Sequence, residues 1–272
     1  MERIKQALDK ARAERGSPDG NTGVTREASV AGREMESKEV EVEYSQTRIV
    51  ELDSRILSQN KVICGDNDRE GLTAYKMLRT QVLQRMEARG WNALGITSPG
   101  IGDGKTLTAI NLAISLAREL QYTVLLVDLD LRNPCVGQYF GITPKKGIND
   151  FLMRKASLSE VMINPGIERL VIVPAAEALE NSSELLSSPS MRELVRELKS
   201  RYPSRIVLFD LPPLLATDDA LAFSPFVDAL LLVVRDAKTT RREIEHAMQI
   251  LQDVPMLGTV LNASSEKIST YY

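Results

Sequence analysis

The sequence predicts an α/β fold in which a doubly wound, mostly parallel β-sheet carries helices on both faces. Short runs of apolar and β-branched residues alternate with amphipathic segments along most of the chain. Continuous apolar runs are typical of parallel strands, because both faces of such a sheet are buried. Two of these runs end in aspartate and another ends in a glycine-rich loop. With 43% apolar residues in 272, the chain can enclose the core of one such domain.

The alternation of patterns sets the order of the elements. Residues 47–66 contain short β-branched pieces that begin the ordered domain, and an apolar stripe at helical spacing predicts a helix over 68–88. The other strands are predicted at 92–98, 123–128, 168–174, 205–210, 228–234 and 256–262. The other helices are predicted at 105–120, 147–162, 188–201 and 239–252.

The N-terminal part of the chain has a different composition. Residues 1–15 have one apolar helical face and predict an amphipathic helix, which is too short to be stable without a surface to pack on. That surface could belong to a partner, to a membrane or to the chain's own domain. Residues 16–45 are rich in Gly, Ser, Thr and charge and predict a flexible linker. The domain then spans 46–267, and a tyrosine-bearing tail spans 268–272.

Composition excludes several classes of function. The single histidine, His246, argues against His-dependent triads, His-rich zinc sites and an H-R-D kinase loop. Cys64 and Cys135 are far apart without CxxC spacing, which favours a reduced, cytoplasmic protein. A net charge of -3 gives no sign of a nucleic-acid partner. No apolar run approaches the roughly 20 residues that a membrane-spanning helix needs.

The glycine-rich loop after the strand at 92–98 has the layout of a phosphate-binding P-loop. Gly100, Gly102 and Gly104 are followed at once by Lys105 and Thr106, and then by a helical pattern. Glycines let backbone N–H groups close around phosphate oxygens, and the helix N-terminus adds partial positive charge. The lysine would reach the β- and γ-phosphates and the threonine hydroxyl would bind Mg²⁺.

This loop departs from the strict pattern G-x-x-x-x-G-K-[ST], because Pro99 occupies the position of the first glycine. Taken alone, the loop could therefore be a glycine-rich turn without a ligand. Aspartates elsewhere in the chain favour the P-loop interpretation.

Three aspartates lie at the ends of two predicted strands. VLLVDLDLRNP presents Asp128 and Asp130, and IVLFDLPP presents Asp210. A single aspartate after a strand is commonly a turn or cap residue. Because the carboxyl ends of parallel strands meet at one edge, however, these three can converge with Thr106 on a Mg²⁺ shared with nucleotide phosphates. The sequence thus predicts a Mg²⁺–nucleotide site.

The segments GDGKT, VLLVDLDLR and VLFDLPP resemble the Walker A, A′ and B motifs of bacterial tyrosine kinases (BY-kinases) of capsule and exopolysaccharide synthesis. The resemblance covers residues 68–272 and includes the connecting segments LRTQV, SELLSS, LLVVR and GTVLN. The wider relatives are MinD- and ParA-like deviant P-loop ATPases, which share the P-loop NTPase fold. Those ATPases carry a signature lysine where this chain has Gly100, so the sequence is more similar to the kinases.

The resemblance implies an ATP- and Mg²⁺-dependent protein-tyrosine autokinase with ATPase activity. It implies that Lys105 stabilises the transferred phosphoryl group and that Asp130 acts as base or orients the tyrosine hydroxyl. It implies metal-binding roles for Thr106, Asp128 and Asp210, the last through water. The nucleotide-binding positions that it implies are Gly100, Gly102, Asp103, Gly104, Lys105, Thr106, Leu107 and Asn262, the last of them facing adenine.

Two departures from the family are visible. The tail ASSEKISTYY offers only Tyr271 and Tyr272 as phosphoacceptors. The family's ring-contact motif E-x-x-R-x-x-R reads Thr73, Lys76 and Arg79 here, and a lysine cannot offer the bidentate fork of an arginine. These positions argue against the family's ring assembly and leave a differently built homo-oligomer open.

The resemblance also implies a partner, a transmembrane polysaccharide chain-length regulator that activates the kinase. The protein would then lie in the cytoplasm, peripherally at the inner face of the membrane through that partner. The main alternative is a MinD/ParA-like nucleotide-switch ATPase that regulates a membrane-associated polysaccharide export complex without phosphorylating protein. A small-molecule kinase is a third, weaker interpretation.

Overall fold

The computed structural model describes residues 48–64, 68–202 and 204–265. The predicted helix at 1–15, the linker at 16–45 and the acceptors Tyr271 and Tyr272 lie outside the described residues. No helix in the described ranges is long and apolar enough to cross a membrane.

The described residues form an eight-stranded sheet in the order β1-β4-β5-β3-β6-β2-β7-β8. All neighbours are parallel except β4 and β5. The mostly parallel, doubly wound sheet of the P-loop NTPase fold is therefore confirmed. The strands are β1 Arg48–Ile49, β2 Ala93–Thr97, β3 Thr123–Asp128, β4 Ile163–Asn164, β5 Leu170–Val173, β6 Arg205–Asp210, β7 Ala229–Arg235 and β8 Met256–Asn262.

Helices connect the strands and cover both faces of the sheet. They are α1 Ser54–Gln59, α2 Arg69–Glu87, α3 Lys105–Ala117, α4 Val136–Tyr139, α5 Ile148–Leu152, α6 Leu158–Val161, α7 Ser182–Leu186, α8 Pro189–Ser200, α9 Asp219–Phe223 and α10 Arg241–Ile250. A short 3-10 turn, Ser224–Phe226, follows α9.

The single helix predicted over 147–162 is interrupted in the structure. Helices α5 and α6 occupy its two ends, and Arg154 between them has a left-handed φ of 60°. Ser157 then caps α6, with its N–H and hydroxyl donating to Glu160. A left-handed residue followed by a new N-cap ends one helix and starts another, which the apolar spacing alone does not reveal.

The strands alternate their side chains between two cores. Along β3, Leu125 and Val127 pack in one cluster with the apolar face of α8, whereas Leu126 packs in a second cluster with α3. All three side chains are fully buried. Burial on both faces explains why these strands read as continuous apolar runs.

The register of the central strands fixes the position of the polar residues. Asp128 and Asp210 are directly paired at the ends of β3 and β6, and Ile96 of β2 lies beside Asp210. The loop after β2 therefore starts at the same edge. Three segments from distant parts of the sequence thus meet at the carboxyl end of the sheet.

Candidate functional site

The loop between β2 and α3 is shaped by its glycines and by one aspartate. Gly102 and Gly104 have φ values of +75° and +95°, which L-residues rarely adopt. The Gly100 N–H donates to Asp103 Oδ2 at 2.9 Å, and Asp103 is buried. Gly104 is the N-cap of α3, so Lys105 and Thr106 begin the helix and their N–H groups have no acceptor within it. This is the geometry of an anion-binding helix N-terminus.

Lys105 and Thr106 contact the carboxylates that the sheet brings to this edge. Lys105 Nζ lies 2.8 Å from Asp130 Oδ2 and 3.4 Å from Asp210 Oδ1. The Thr106 hydroxyl donates to Asp210 Oδ2 at 2.6 Å, and Lys105 Nζ donates to Thr106 Oγ1 at 3.1 Å. All four residues are buried. The structure therefore brings together four of the side chains that the sequence singled out.

The neighbouring carboxylates keep Lys105 positively charged. Burial by itself would lower the pKa of Lys105, but attraction to Asp210 and Asp130 outweighs burial and raises it. The ammonium group therefore stays protonated at neutral pH in a site closed to bulk water. A permanent, buried positive charge beside a phosphate loop is suited to stabilising negative charge on a phosphoryl group.

Asp128 has one oxygen committed to the backbone and one without a partner. Its Oδ2 accepts from the N–H groups of Cys135 and Val136, each at 3.0 Å. Its Oδ1 is buried and has no hydrogen-bond partner among the described residues. Burial, followed by repulsion from Asp210, raises the pKa of Asp128 to about 8. Burial also raises the pKa of Asp210, against the opposing effects of Lys105 and Thr106.

These groups fit a Mg²⁺ ion. A buried carboxylate oxygen without a donor favours a cation, and the Thr106 hydroxyl and Asp210 supply further oxygen ligands of the kind Mg²⁺ prefers. Within the described ranges, no group of three or more His, Cys, Asp or Glu residues could hold a metal ion by itself. Mg²⁺ is usually held by one or two carboxylates together with substrate phosphates and water.

Asn262, at the end of β8, lies against the outside of the loop. Its Nδ2 donates to the Asp103 carbonyl oxygen at 2.8 Å. A Cβ atom placed on Gly104 would lie 1.9 Å from the same Nδ2. Asn262 is therefore next to the phosphate loop, and its predicted contact with adenine stays a prediction. Leu107, in the first turn of α3, is partly buried and packs against the core under the loop.

Replacing Gly104 by Ala should impair both the loop and nucleotide binding. The variant combines the left-handed strain of about 1 kcal/mol with a clash that displaces Asn262. We expect at least about tenfold weaker nucleotide binding, measured by titration with a fluorescent ATP analogue. Gly90→Ala is the matched control, because Gly90 also has a left-handed φ of +65° but an added Cβ meets nothing within 4 Å. Equal affinity of both variants would contradict the close approach at Gly104.

Arg132 does not pair with Asp130. Its Nε lies 3.2 Å from Asp219 Oδ2 and donates to Ser182 Oγ at 3.1 Å, so Arg132 forms a salt bridge within the domain. Asp219 and Ser182 are fully buried and hydrogen-bonded to each other. They tie the segment after β3 to the starts of α7 and α9. Neither residue was singled out in the sequence, because no motif connects them to Arg132.

Two basic residues, one at the end of β7 and one just after it, also contact the phosphate loop and were missed by the sequence analysis. Arg235 Nη1 donates to the Gly102 carbonyl oxygen at 2.9 Å. Lys238 Nζ donates to the Ile101 carbonyl oxygen and lies 3.6 Å from Asp103 Oδ1. The segment LLVVR, which resembles the family, ends in Arg235. It was the sequence signal that could have identified this residue.

The helix that carries the altered ring-contact motif uses Arg79 within the chain itself. Arg79 Nη2 lies 2.7 Å from Glu119, and its Nη1 donates to the Ser115 carbonyl oxygen at 3.2 Å. The Thr73 hydroxyl donates to the Arg69 carbonyl oxygen, and Lys76 is exposed. Of the three ring-contact positions, Arg79 is thus already paired within its own chain, with residues at and just after the end of α3.

Comparison with known proteins agrees with this arrangement. The model of the AAA domain family matches residues 96–258. The tyrosine-protein kinase YwqD of Bacillus subtilis strain 168 is 32% identical over 190 residues, which cover 69% of this chain and 79% of YwqD. The kinase domain of VpsO is 31% identical with a TM-score of 0.64, covering 71% of this chain and 95% of that domain.

The kinase domain of the Escherichia coli tyrosine kinase ETK is 29% identical with a TM-score of 0.65, covering 74% of this chain and 80% of that one. The residues matched by the family model include the phosphate loop and the strands β3 and β6 that carry the aspartates. The resemblance expected from the three motifs is thereby confirmed. The chain belongs to the AAA domain family and, with YwqD, to the bacterial tyrosine-protein kinases.

Proposed function

We propose that this protein is an ATP-dependent protein-tyrosine autokinase that transfers the γ-phosphoryl group of Mg-ATP to Tyr271 and Tyr272. The observation that carries the proposal is the convergence of Lys105, Asp130 and Asp210 at the mouth of the phosphate loop, with Nζ–carboxylate distances of 2.8 and 3.4 Å. A buried cation between carboxylates at a phosphate loop suits phosphoryl transfer, which relies on positioning and charge stabilisation.

Each residue has a distinct role in the proposed reaction. The loop N–H groups bind the β- and γ-phosphates, and the Lys105 ammonium group stabilises charge on the γ-phosphoryl oxygens. Asp130 accepts the tyrosine O–H proton as the oxygen–phosphorus bond forms and ADP leaves. Thr106, Asp128 and Asp210 would hold Mg²⁺, which neutralises phosphate charge. Asn262 is proposed to contact the adenine ring.

We also propose where the kinase acts and which partner activates it. We place the kinase in exopolysaccharide or capsule biosynthesis, in the cytoplasm and peripherally at the inner face of the membrane. A transmembrane chain-length regulator would recruit and activate it. A homo-oligomer is compatible with phosphorylation between neighbouring chains, but an ion pair through Arg79 would have to displace Glu119.

The second candidate is a nucleotide-switch ATPase that phosphorylates no protein. It is favoured by the altered ring-contact positions. It is opposed by Gly100, which stands where the switch ATPases have their signature lysine. In the switch mechanism, water would take the place of the tyrosine hydroxyl and every phosphate would be released.

The acceptor assignment predicts where the phosphate is found. After incubation with Mg-ATP and the cytoplasmic tail of the activator, the wild-type chain should gain one or two phosphates by intact mass. Peptide sequencing should locate them at Tyr271 and Tyr272, and the double variant Tyr271→Phe, Tyr272→Phe should gain none. The control is Tyr202→Phe, an exposed tyrosine on the folded domain that should leave the gain unchanged. Full phosphorylation of the double tail variant would contradict the assignment.

A further inference from the structure

Three successive carbonyl groups of the phosphate loop are held from the outside by side chains from the C-terminal part of the sheet. The Ile101, Gly102 and Asp103 oxygens accept hydrogen bonds from Lys238, Arg235 and Asn262 respectively. The Gly102 and Asp103 contacts measure 2.9 and 2.8 Å. All three donors lie at or after the ends of β7 and β8, far from the loop in sequence.

The geometry of a peptide unit converts these contacts into an orientation of N–H groups. In a planar trans peptide, the carbonyl oxygen and the next residue's N–H point in opposite directions. Holding the oxygens of residues 101–103 outward therefore turns the N–H groups of Gly102, Asp103 and Gly104 inward. In the described part of the chain these three N–H groups donate to no protein acceptor. Successive inward N–H groups form an anion-binding nest.

The same contacts compensate the negative charge of the Asp103 carboxylate in the loop. The Asp103 carboxylate is buried directly within the segment that would surround phosphate, where it would repel the ligand. One of its oxygens accepts from the Gly100 N–H, and the other lies 3.6 Å from Lys238 Nζ. Lys238 therefore neutralises Asp103 while holding the neighbouring carbonyl.

We propose that Arg235 and Lys238 are positioning residues for nucleotide phosphate: they fix the outward carbonyls of the loop and thereby its inward N–H nest. The inference rests on the proposed use of ATP, and it assigns to these residues an effect on nucleotide affinity without contact with the reacting atoms. Their removal weakens nucleotide binding, whereas phosphoryl transfer from bound nucleotide is less affected.

The test compares Arg235→Met, Lys238→Met and the double variant with the wild-type full-length chain. The dissociation constant of ATP, KM for ATP, kcat and the melting temperature without nucleotide are measured for each. We expect the double variant to bind ATP about tenfold or more weakly and to raise KM by a similar factor. Its kcat should change less than about threefold, and its melting temperature should be close to that of the wild type because both side chains are largely exposed.

A matched control separates positioning from general loss of positive charge. The double variant Arg241→Met, Arg242→Met removes the same charge from the exposed start of α10, close to Lys238 in sequence. It should leave ATP affinity within about twofold of the wild type at low ionic strength and equal to it at high ionic strength. The loss in the Arg235 and Lys238 double variant should persist at high ionic strength, because hydrogen-bond geometry is not screened by salt.

Five outcomes decide the inference. A persistent loss of affinity with retained kcat supports it. Unchanged affinity overturns it and leaves the proposed kinase function intact, as does an equal loss in the Arg241 and Arg242 control. If the double variant has a lowered melting temperature, the ATP affinity of Arg235→Gln decides at a temperature where that variant is folded. This variant removes the charge but keeps a hydrogen-bond donor, so wild-type-like affinity supports the inference and a loss equal to that of Arg235→Met overturns it. A wild-type chain that binds no ATP overturns both this inference and the proposed function.

Discussion

Replacing Lys105 by Met should lower tyrosine phosphorylation by about 10³-fold, the magnitude typical of removing a preorganised charge that stabilises a transition state. The ammonium group lies between Asp130 and Asp210 in a buried site, so water cannot replace it effectively. The measurement is the initial rate of phosphotyrosine formation at saturating Mg-ATP and activator. The main loss should appear in kcat.

The same substitution should change the unliganded protein. Without the ammonium group, Asp210 loses the attraction that opposes the effect of its burial, so its pKa should rise further. Lys155→Met, at an exposed position on the domain surface, is the control for removing a lysine and should keep full activity. A Lys105→Met variant with more than about a tenth of the wild-type rate would contradict the assigned role.

Replacing Asp210 by Asn should reduce the rate by about 10²-fold or more and raise the Mg²⁺ concentration needed for activity. The side chain is fully buried and joins Thr106 at 2.6 Å to Lys105 at 3.4 Å. Asparagine keeps the shape and one accepting oxygen but removes the charge that would attract Mg²⁺, directly or through water. The measurement is the rate of phosphorylation as a function of Mg²⁺ at fixed ATP.

The control for Asp210 is Asp253→Asn, an exposed carboxylate after α10 that should leave the Mg²⁺ dependence unchanged. A variant at Asp210 that loses rate but keeps the wild-type Mg²⁺ dependence would assign this residue to holding Lys105 and Thr106 in place. The outcome that speaks against both roles is a full rate with an unaltered Mg²⁺ requirement.

The sequence was sufficient to predict six of the eight strands and to bring the catalytic candidates together. Strands β3, β6 and β8 have the bounds that were predicted, 123–128, 205–210 and 256–262. Strands β3 and β6 are near-continuous apolar runs that end in aspartate, and β8 ends in Asn262, so their patterns have few competing interpretations. Because parallel strands end at one edge, Asp128 and Asp210 could be placed beside the glycine loop without knowledge of the strand order.

The contacts between distant segments could not be predicted in the same way. Asp219 and Ser182 hold Arg132, and Arg235 and Lys238 hold the phosphate loop, although no periodicity relates these partners. Such side-chain pairs depend on how the connections between strands lie over the sheet, which is decided by packing. The interruption between α5 and α6 has a similar origin, since a left-handed Arg154 is an uncommon choice for a non-glycine residue.

The most direct test of the kinase account is the balance of products from one turnover experiment. The full-length chain is incubated with γ-labelled Mg-ATP, with and without the activator's cytoplasmic tail, and phosphotyrosine and free inorganic phosphate are counted together. A protein-tyrosine autokinase should place label on its own tyrosines until they are filled, more rapidly with the activator, and Lys105→Met should do neither. Continuous release of inorganic phosphate with no label on tyrosine, even with the activator, would contradict the account and identify the site as that of a switch ATPase.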